Sequence, residues 1–188
     1  MTDATPLKAN SSMPDCLLPE PASSSGLAIF TEKLQNRHRR ISASICIPCS
    51  VEQVWEALTD YDNLANFIPN LSVSRCLETV DSRTLLEQVG SQCFLNIQFC
   101  ARVVLDMAEQ FPHRISFSMV EGDFKAFEGC WRLESEAASQ PTTRLNYELT
   151  ICPPLAIPVM LIERHLRHDL TQNLQAIRQH MIISTSAA

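Results

Sequence analysis

Six segments of strand character follow one another over residues 71–80, 83–89, 95–110, 113–121, 124–135 and 144–152, and the links between them are too short to hold a helix. A parallel pair needs a crossover of a dozen or more residues, so these neighbours must run antiparallel. Asp81-Ser82, Phe111-Pro112 and Gly122-Asp123 carry turn chemistry, and the last fits a two-residue type II′ hairpin with glycine in first place. In the longest segment Leu95, Ile97, Phe99, Ala101, Val103, Leu105 and Met107 share one face, while Asn96, Gln98, Arg102 and Asp106 lie on the other. A sheet with one oily face must bury it against something.

The C-terminal stretch supplies the partner. From Pro158 to Ile183 the residues Val159, Ile162, Leu166, Leu170, Leu174, Ile177 and Met181 recur at helical spacing, about seven turns with one apolar stripe. Upstream, Ile41, Ala43, Ile45 and Ile47 alternate with polar residues and predict a strand over residues 39–47. Ser50 and Gln53 then have capping-box spacing ahead of a helix that buries Val51, Val54, Trp55 and Leu58. A second short helix, capped by Asp62, carries Leu64 and Phe67 and stops at Pro69. The fold class expected is therefore α+β: a seven-stranded curved antiparallel sheet wrapped around a long C-terminal helix, with two short helices after the first strand.

The domain expected spans residues 37–183. Residues 1–36, rich in Ser, Pro, Ala and Thr, read as a disordered tail in which Leu27 to Leu34 form at most a helical turn or two, and residues 184–188 read as a flexible end. No stretch reaches the roughly 18 to 20 apolar residues of a spanning helix, and the start lacks the basic and apolar blocks of a signal peptide. The eight cysteines fall at irregular spacing in a chain long enough to need no staples, so reduced thiols in the cytoplasm are expected. The net charge of −6 opposes nucleic acid and anionic lipid as broad partners. Contact with a membrane would be transient and peripheral, and oligomeric state is not legible.

Three words narrow the reading further: Val54-Trp55-Glu56-Ala57-Leu58-Thr59-Asp60-Tyr61, Phe67-Ile68-Pro69-Asn70, and Val120-Glu121-Gly122-Asp123-Phe124-Lys125 with Phe127, Gly129 and Trp131. With Glu163-Arg164-His165-Leu166-Arg167, Asp169-Leu170 and Asn173-Leu174, they resemble the START-like superfamily of polyketide cyclases, dehydrases and lipid-transport proteins, and within it the coenzyme-Q-binding branch. The resemblance covers residues 39–181. It implies the helix-grip fold and an intracellular carrier or chaperone holding a polyprenyl quinone or similar lipid between sheet and helix. It implies no shared catalytic residue.

A carrier of that kind needs a concave apolar lining with a few polar groups to orient a head group. The inward faces supply Phe99, Val103, Leu105, Phe117, Met119, Phe127, Trp131, Tyr147, Ile162 and Leu166, with Glu163 and Asn173 as polar contacts. The plainer reading pairs Glu163 with a sheet arginine such as Arg102 and makes Asn173 a buried amide bonded to sheet backbone or lying beyond the cavity's end. Phe124 and Phe127 are candidates for an entrance beside the Gly122 turn. Gly129 suits a strongly bent strand.

No cofactor, metal or catalytic residue is assigned. Cys46-Ile47-Pro48-Cys49 has redox spacing but ends a strand, outside the context a thioredoxin-like site needs. His165 and Asp169 lie one turn apart, but among Arg164, Arg167 and His168 they read as a solvated face. The rival readings are a cyclase or dehydratase using the same cavity, for which no base-and-orienter pair stands out, and an interaction module using the tail or the basic run Arg37-His38-Arg39-Arg40.

Overall fold

The computed structural model describes residues 26–80, 83–94, 97–155 and 158–186, and of 91–94, 97–99, 161 and 162 the backbone alone. In chain order the elements are β1 (Ala28–Lys33), β2 (Arg39–Ile47), α1 (Val51–Thr59), a 3₁₀ helix (Tyr61–Asn66), β3 (Leu71–Val80), β4 (Arg83–Phe94), β5 (Ile97–Gln110), β6 (Arg114–Gly122), β7 (Ala126–Ser135), β8 (Thr143–Cys152) and α2 (Val159–Ser186). The strands form one sheet in the order β1-β2-β8-β7-β6-β5-β4-β3, every pair antiparallel. This is the helix-grip arrangement, with eight strands where seven were expected.

The extra strand corrects the N-terminal boundary. Residues 28–33, read as tail with a helical patch, pair along β2 from Ala28↔Ser44 to Lys33↔Arg39. Leu27 and Ile29 pack on the core, and Asn36 and Arg37 take positive φ in the turn that returns the chain to β2. The pattern was too short and irregular for its period to show. Residues 1–25 lie outside the described residues. At the other end α2 continues to Ser186, so residues 184–186 are helical rather than part of a loose end.

Local chemistry accounts for most of the remaining elements. Strand β2 buries Ile41, Ala43, Ile45 and Ile47 as its alternation requires. The capping box forms in full: Gln53 N–H donates to Ser50 Oγ at 3.4 Å and Ser50 N–H donates to Gln53 Oε1 at 3.0 Å. Helix α1 buries the four side chains its spacing selects, Val51, Val54, Trp55 and Leu58, and Trp55 meets Phe111 edge-on at 5.5 Å. The second short helix is 3₁₀, and Asp62 does not cap it; its Oδ1 accepts instead from Cys76 N–H of β3 at 2.7 Å.

The turn at Gly122-Asp123 is not a two-residue hairpin. Pairing of β6 with β7 stops at Ser118↔Glu128, while the end of β6 stays with β5 as far as Val103↔Gly122. Strand β7 meanwhile keeps to β8 down to Ala126↔Cys152. The sheet thus splits between β6 and β7 over residues 119–127. Gly122 lies where a Cβ would come within 2.7 Å of Arg102 O and 2.8 Å of Met119 Sδ. Gly129, in the bent strand, is required more strictly: a Cβ there would sit 2.0 Å from Glu148 O and 2.7 Å from Phe117 Cζ.

Helix α2 does not lie evenly on the sheet. Its closest approaches are to β2, with β1 and α1 next. Leu174, Ile177 and Met181 are almost wholly buried there. The N-terminal part of the helix stands away from β4 to β7 and roofs a hollow.

Candidate functional site

That hollow is a cavity of about 400 Å³. Its walls follow from the alternation of the strands. Strand β5 contributes Ala101, Val103, Leu105 and Met107, β4 contributes Leu86, Gln88 and Gly90, and β6 contributes Ile115 and Phe117. Phe127 and Trp131 of β7 and Tyr147 and Leu149 of β8 form the aromatic end, with Phe124 from the split between β6 and β7. Tyr61 and Leu64 enter from the 3₁₀ helix and Ile68 from the turn after it. From α2 come His165, Leu166, Asp169, Leu170, Asn173 and Ile177.

The aromatic end is a continuous chain of ring contacts, mostly tilted. Trp131 and Tyr147 have ring centroids 4.2 Å apart, Phe117 lies 5.9 Å from both Tyr147 and Phe127, and Phe124 lies 5.4 Å from Phe127. Gly129 makes this possible, because Phe117 occupies the space a side chain there would take. Offset ring contacts of this kind add about 0.5 to 1.5 kcal/mol per pair beyond burial and hold the wall in one shape.

Of the residues singled out from the sequence, Val103, Leu105, Phe117, Phe127, Trp131, Tyr147, Leu166 and Asn173 line the cavity. The side chains of Phe99 and Ile162 lie outside the described residues. Met119 is not on the wall. It pairs with Leu105 and packs against the core, with its thioether tucked over Gly122. Glu163 is not on the wall either. Its Oε2 accepts from Arg39 Nε at 3.1 Å, tying the start of α2 to β2. Arg102, the partner the sequence suggested, is on the outer face, where it binds Glu87 Oε1 at 2.7 Å and Glu121; Arg75 holds the other Glu87 oxygen at 2.6 Å. These two guanidiniums keep the Glu87 carboxyl below the usual range.

The basic run at residues 37–40 is likewise absorbed by structure. Arg37 Nη2 donates to Pro154 O at 3.2 Å, Arg39 holds Glu163, and Arg40 lies between Glu32 and Glu148. Cys49 is buried, its thiol 3.3 Å from Thr185 Oγ1, and Cys46 and Cys49 are both free thiols. Among the described residues no group of three or more His, Cys, Asp or Glu is placed to hold a metal ion, and no helix is long and apolar enough to cross a membrane.

The polar groups on the wall are few and differ in how well they are satisfied. Tyr61 Oη donates to Glu109 Oε1 at 2.7 Å, and burial together with that carboxylate pushes its hydroxyl far above the ordinary range. Asn70 Nδ2 donates to Gln172 Oε1 at 3.2 Å and Asn173 Oδ1 at 3.4 Å, joining the turn before β3 to α2. Asn173 thus meets a side-chain amide rather than sheet backbone. Burial raises the Tyr147 hydroxyl as well. Asp169 corrects the sequence reading: it is not on a solvated face but 8% exposed, on the wall one turn after His165, and burial pushes its carboxyl up to about 6. Its position was legible on the helical wheel, three residues after Leu166 and four before Asn173; the charged neighbours masked it.

Known proteins share this fold. The model for the family described as polyketide cyclase / dehydrase and lipid transport matches residues 47–178. The Escherichia coli ribosome association toxin RatA is 26% identical over 113 residues, covering 59% of this chain and 69% of its own. Among solved structures, a STAR-related lipid transfer protein from Xanthomonas axonopodis superposes with a TM-score of 0.70 at 14% identity, over 87% of this chain and 97% of that one. A Streptomyces aromatase/cyclase superposes with a TM-score of 0.66 at 12% identity, over 77% and 93%. With the family model spanning most of the chain and the START fold shared with both structures, the chain belongs to the polyketide cyclase / dehydrase and lipid transport family.

Proposed function

We propose that this protein is a carrier or chaperone that holds one hydrophobic small molecule, a polyprenyl quinone or a lipid of similar character, between the sheet and the first half of α2. The observation that carries this reading is the cavity itself, about 400 Å³ and walled mainly by aliphatic and aromatic side chains. That volume lies in the range of small-molecule sites. Burying roughly 300 Å² of prenyl chain would contribute about 7 kcal/mol before association costs, enough for micromolar binding with little polar recognition. The lining residues Val103, Leu105, Phe117, Phe127, Trp131, Tyr147 and Leu166 are the proposed contacts. The split between β6 and β7, with Phe124 and Phe127 beside it, is the proposed entrance.

Mass spectrometry of lipid extracted from gently purified protein tests the reading. A stoichiometric prenyl lipid, quinone or pigment is expected, and its loss in Phe117→Asp with circular dichroism unchanged would place it in the cavity. Protein that is repeatedly empty and takes up no offered prenyl lipid would overturn the proposal.

A second reading, cyclase or dehydratase chemistry in the same cavity, is favoured by one observation: Asp169 is a buried acid whose carboxyl, raised to about 6, lies in the range of a general acid. Against it, no second side chain among the described residues hydrogen-bonds Asp169 to orient it. Turnover of a poly-β-keto substrate that disappears in Asp169→Asn would establish the enzyme reading. Interaction with a ribosome, as named for the toxin relatives, finds no support in a net charge of −6.

A further inference from the structure

We propose that Asp169 is the head-group anchor of the cavity, taking up a proton so that its carboxyl donates a hydrogen bond to the acceptor oxygen of an otherwise apolar ligand, a quinone, ketone or ester rather than an alcohol. The inference rests on the carrier reading above and adds to it the chemical class of the head group.

The geometry is that of an unanswered polar group. Asp169 is 8% exposed and on the cavity wall, between Leu166 and Leu170. Among the described residues no hydrogen bond or salt bridge reaches its carboxyl, whereas Glu163, one and a half turns earlier, is held by Arg39. Its oxygens open on the cavity, where only water or a ligand can complete them, and a carboxyl so enclosed is worst off when charged. Proteins avoid such groups unless something else completes them, and here the open side faces the space a ligand would fill.

The surroundings decide which protonation state the ligand meets. From α2 itself the titratable neighbours are His165, on the wall, and His168, whose charge works weakly against the effect of burial. The 3₁₀ segment presents Tyr61, already donating to Glu109, and β8 presents Tyr147. Both hydroxyls are held neutral across the physiological range. The other polar wall groups, Asn70, Gln88 and Asn173, are uncharged amides, and no lysine or arginine is on the described wall. A ligand that fills the cavity expels water from a site without a cation, which favours the neutral acid further. A neutral carboxyl is a donor and prefers an acceptor. An alcohol would instead prefer the ionised form.

Three probes of matched length separate the possibilities: methyl farnesoate, whose ester only accepts, farnesol, which also donates, and farnesene, which does neither. Affinities are measured by calorimetry on the full chain. Methyl farnesoate is expected to bind about tenfold more tightly at about pH 5.5 than at about pH 7.5, with farnesene showing a smaller change of the same sign, from desolvation of the carboxyl alone, over the same interval. Asp169→Asn, a donor at every pH, should bind the ester at the low-pH level throughout, and His165→Gln should keep the wild-type pH dependence. Wild type that binds all three alike at every pH, that favours farnesol as pH rises, or that keeps its pH dependence in Asp169→Asn overturns the anchor while leaving the carrier reading intact. Failure to bind any of the three removes both.

Discussion

The two halves of α2 use one helical stripe for opposite ends. In the C-terminal half Leu174 and Met181 are buried where α2 approaches β2 and α1, Ile177 being the last residue to reach the cavity, and Cys49 directs its thiol to the Met181 carbonyl. In the N-terminal half Leu166, Asp169, Leu170 and Asn173 face a cavity, and the helix is tied to β2 at its start through Arg39 and Glu163. The spacing of apolar residues is the same in both. The difference lies in what stands opposite: side chains that fill the gap below the second half, and a strongly curved β4 to β7 that withdraws from the first.

Truncating the sealed half should have the largest effect. Leu174→Ala removes a fully buried side chain and is expected to cost about 3 kcal/mol in denaturant unfolding. Leu166→Ala, on the cavity side of the same stripe, should cost about 1 kcal/mol or less, because it enlarges a space already present, while lowering affinity for prenyl ligands. Equal losses at the two positions would mean that the halves are packed alike.

Asp169 sharpens the contrast through pH. Its carboxyl is raised from 3.8 to about 6, so between those values the folded protein binds more protons than the unfolded chain. Stability is therefore lost as pH rises through that window, and the full penalty persists above it. Asp169→Asn should unfold close to wild type near about pH 4 and be more stable by about 1 to 2 kcal/mol at about pH 7, allowing for solvent screening. A stability difference that does not change with pH would mean that the carboxyl is hydrated after all.

The smallest effect should be at the tie. Glu163→Gln weakens a partly buried ion pair and is expected to cost about 1 kcal/mol or less at equilibrium. If the tie sets how the roof opens, bound ligand should exchange faster in this variant, read by displacement of a fluorescent prenyl analogue. Unchanged exchange would show that the roof opens elsewhere, with the split between β6 and β7 the remaining route.

Much of the fold could be read before any coordinates, because period-two alternation and short turns leave few topologies open. Strands 39–47 and 71–80 coincide with β2 and β3, and the capping box placed the start of α1 at Val51. What escaped was short or long-range. Strand β1 has too few residues for a period, and the turn at Gly122 had the chemistry of a hairpin but is governed by β5 and β8, which draw the two strands apart. Glu163 and Asp169 exchanged roles for the same reason. Two carboxylates on one helix look alike in a sequence, and only the Arg39 guanidinium facing one and an apolar hollow facing the other tell them apart.

By itself, then, the sequence determined an antiparallel sheet with one apolar face and a long helix with one apolar stripe, since both follow from local periodicity and the need to bury it. The tertiary structure alone decided that the two would not meet along their full length. That separation depends on the curvature of β5 to β7, on a Gly129 that leaves room for Phe117, and on the anchoring of α2 at β2, which together fix where side chains fill space and where they only surround it.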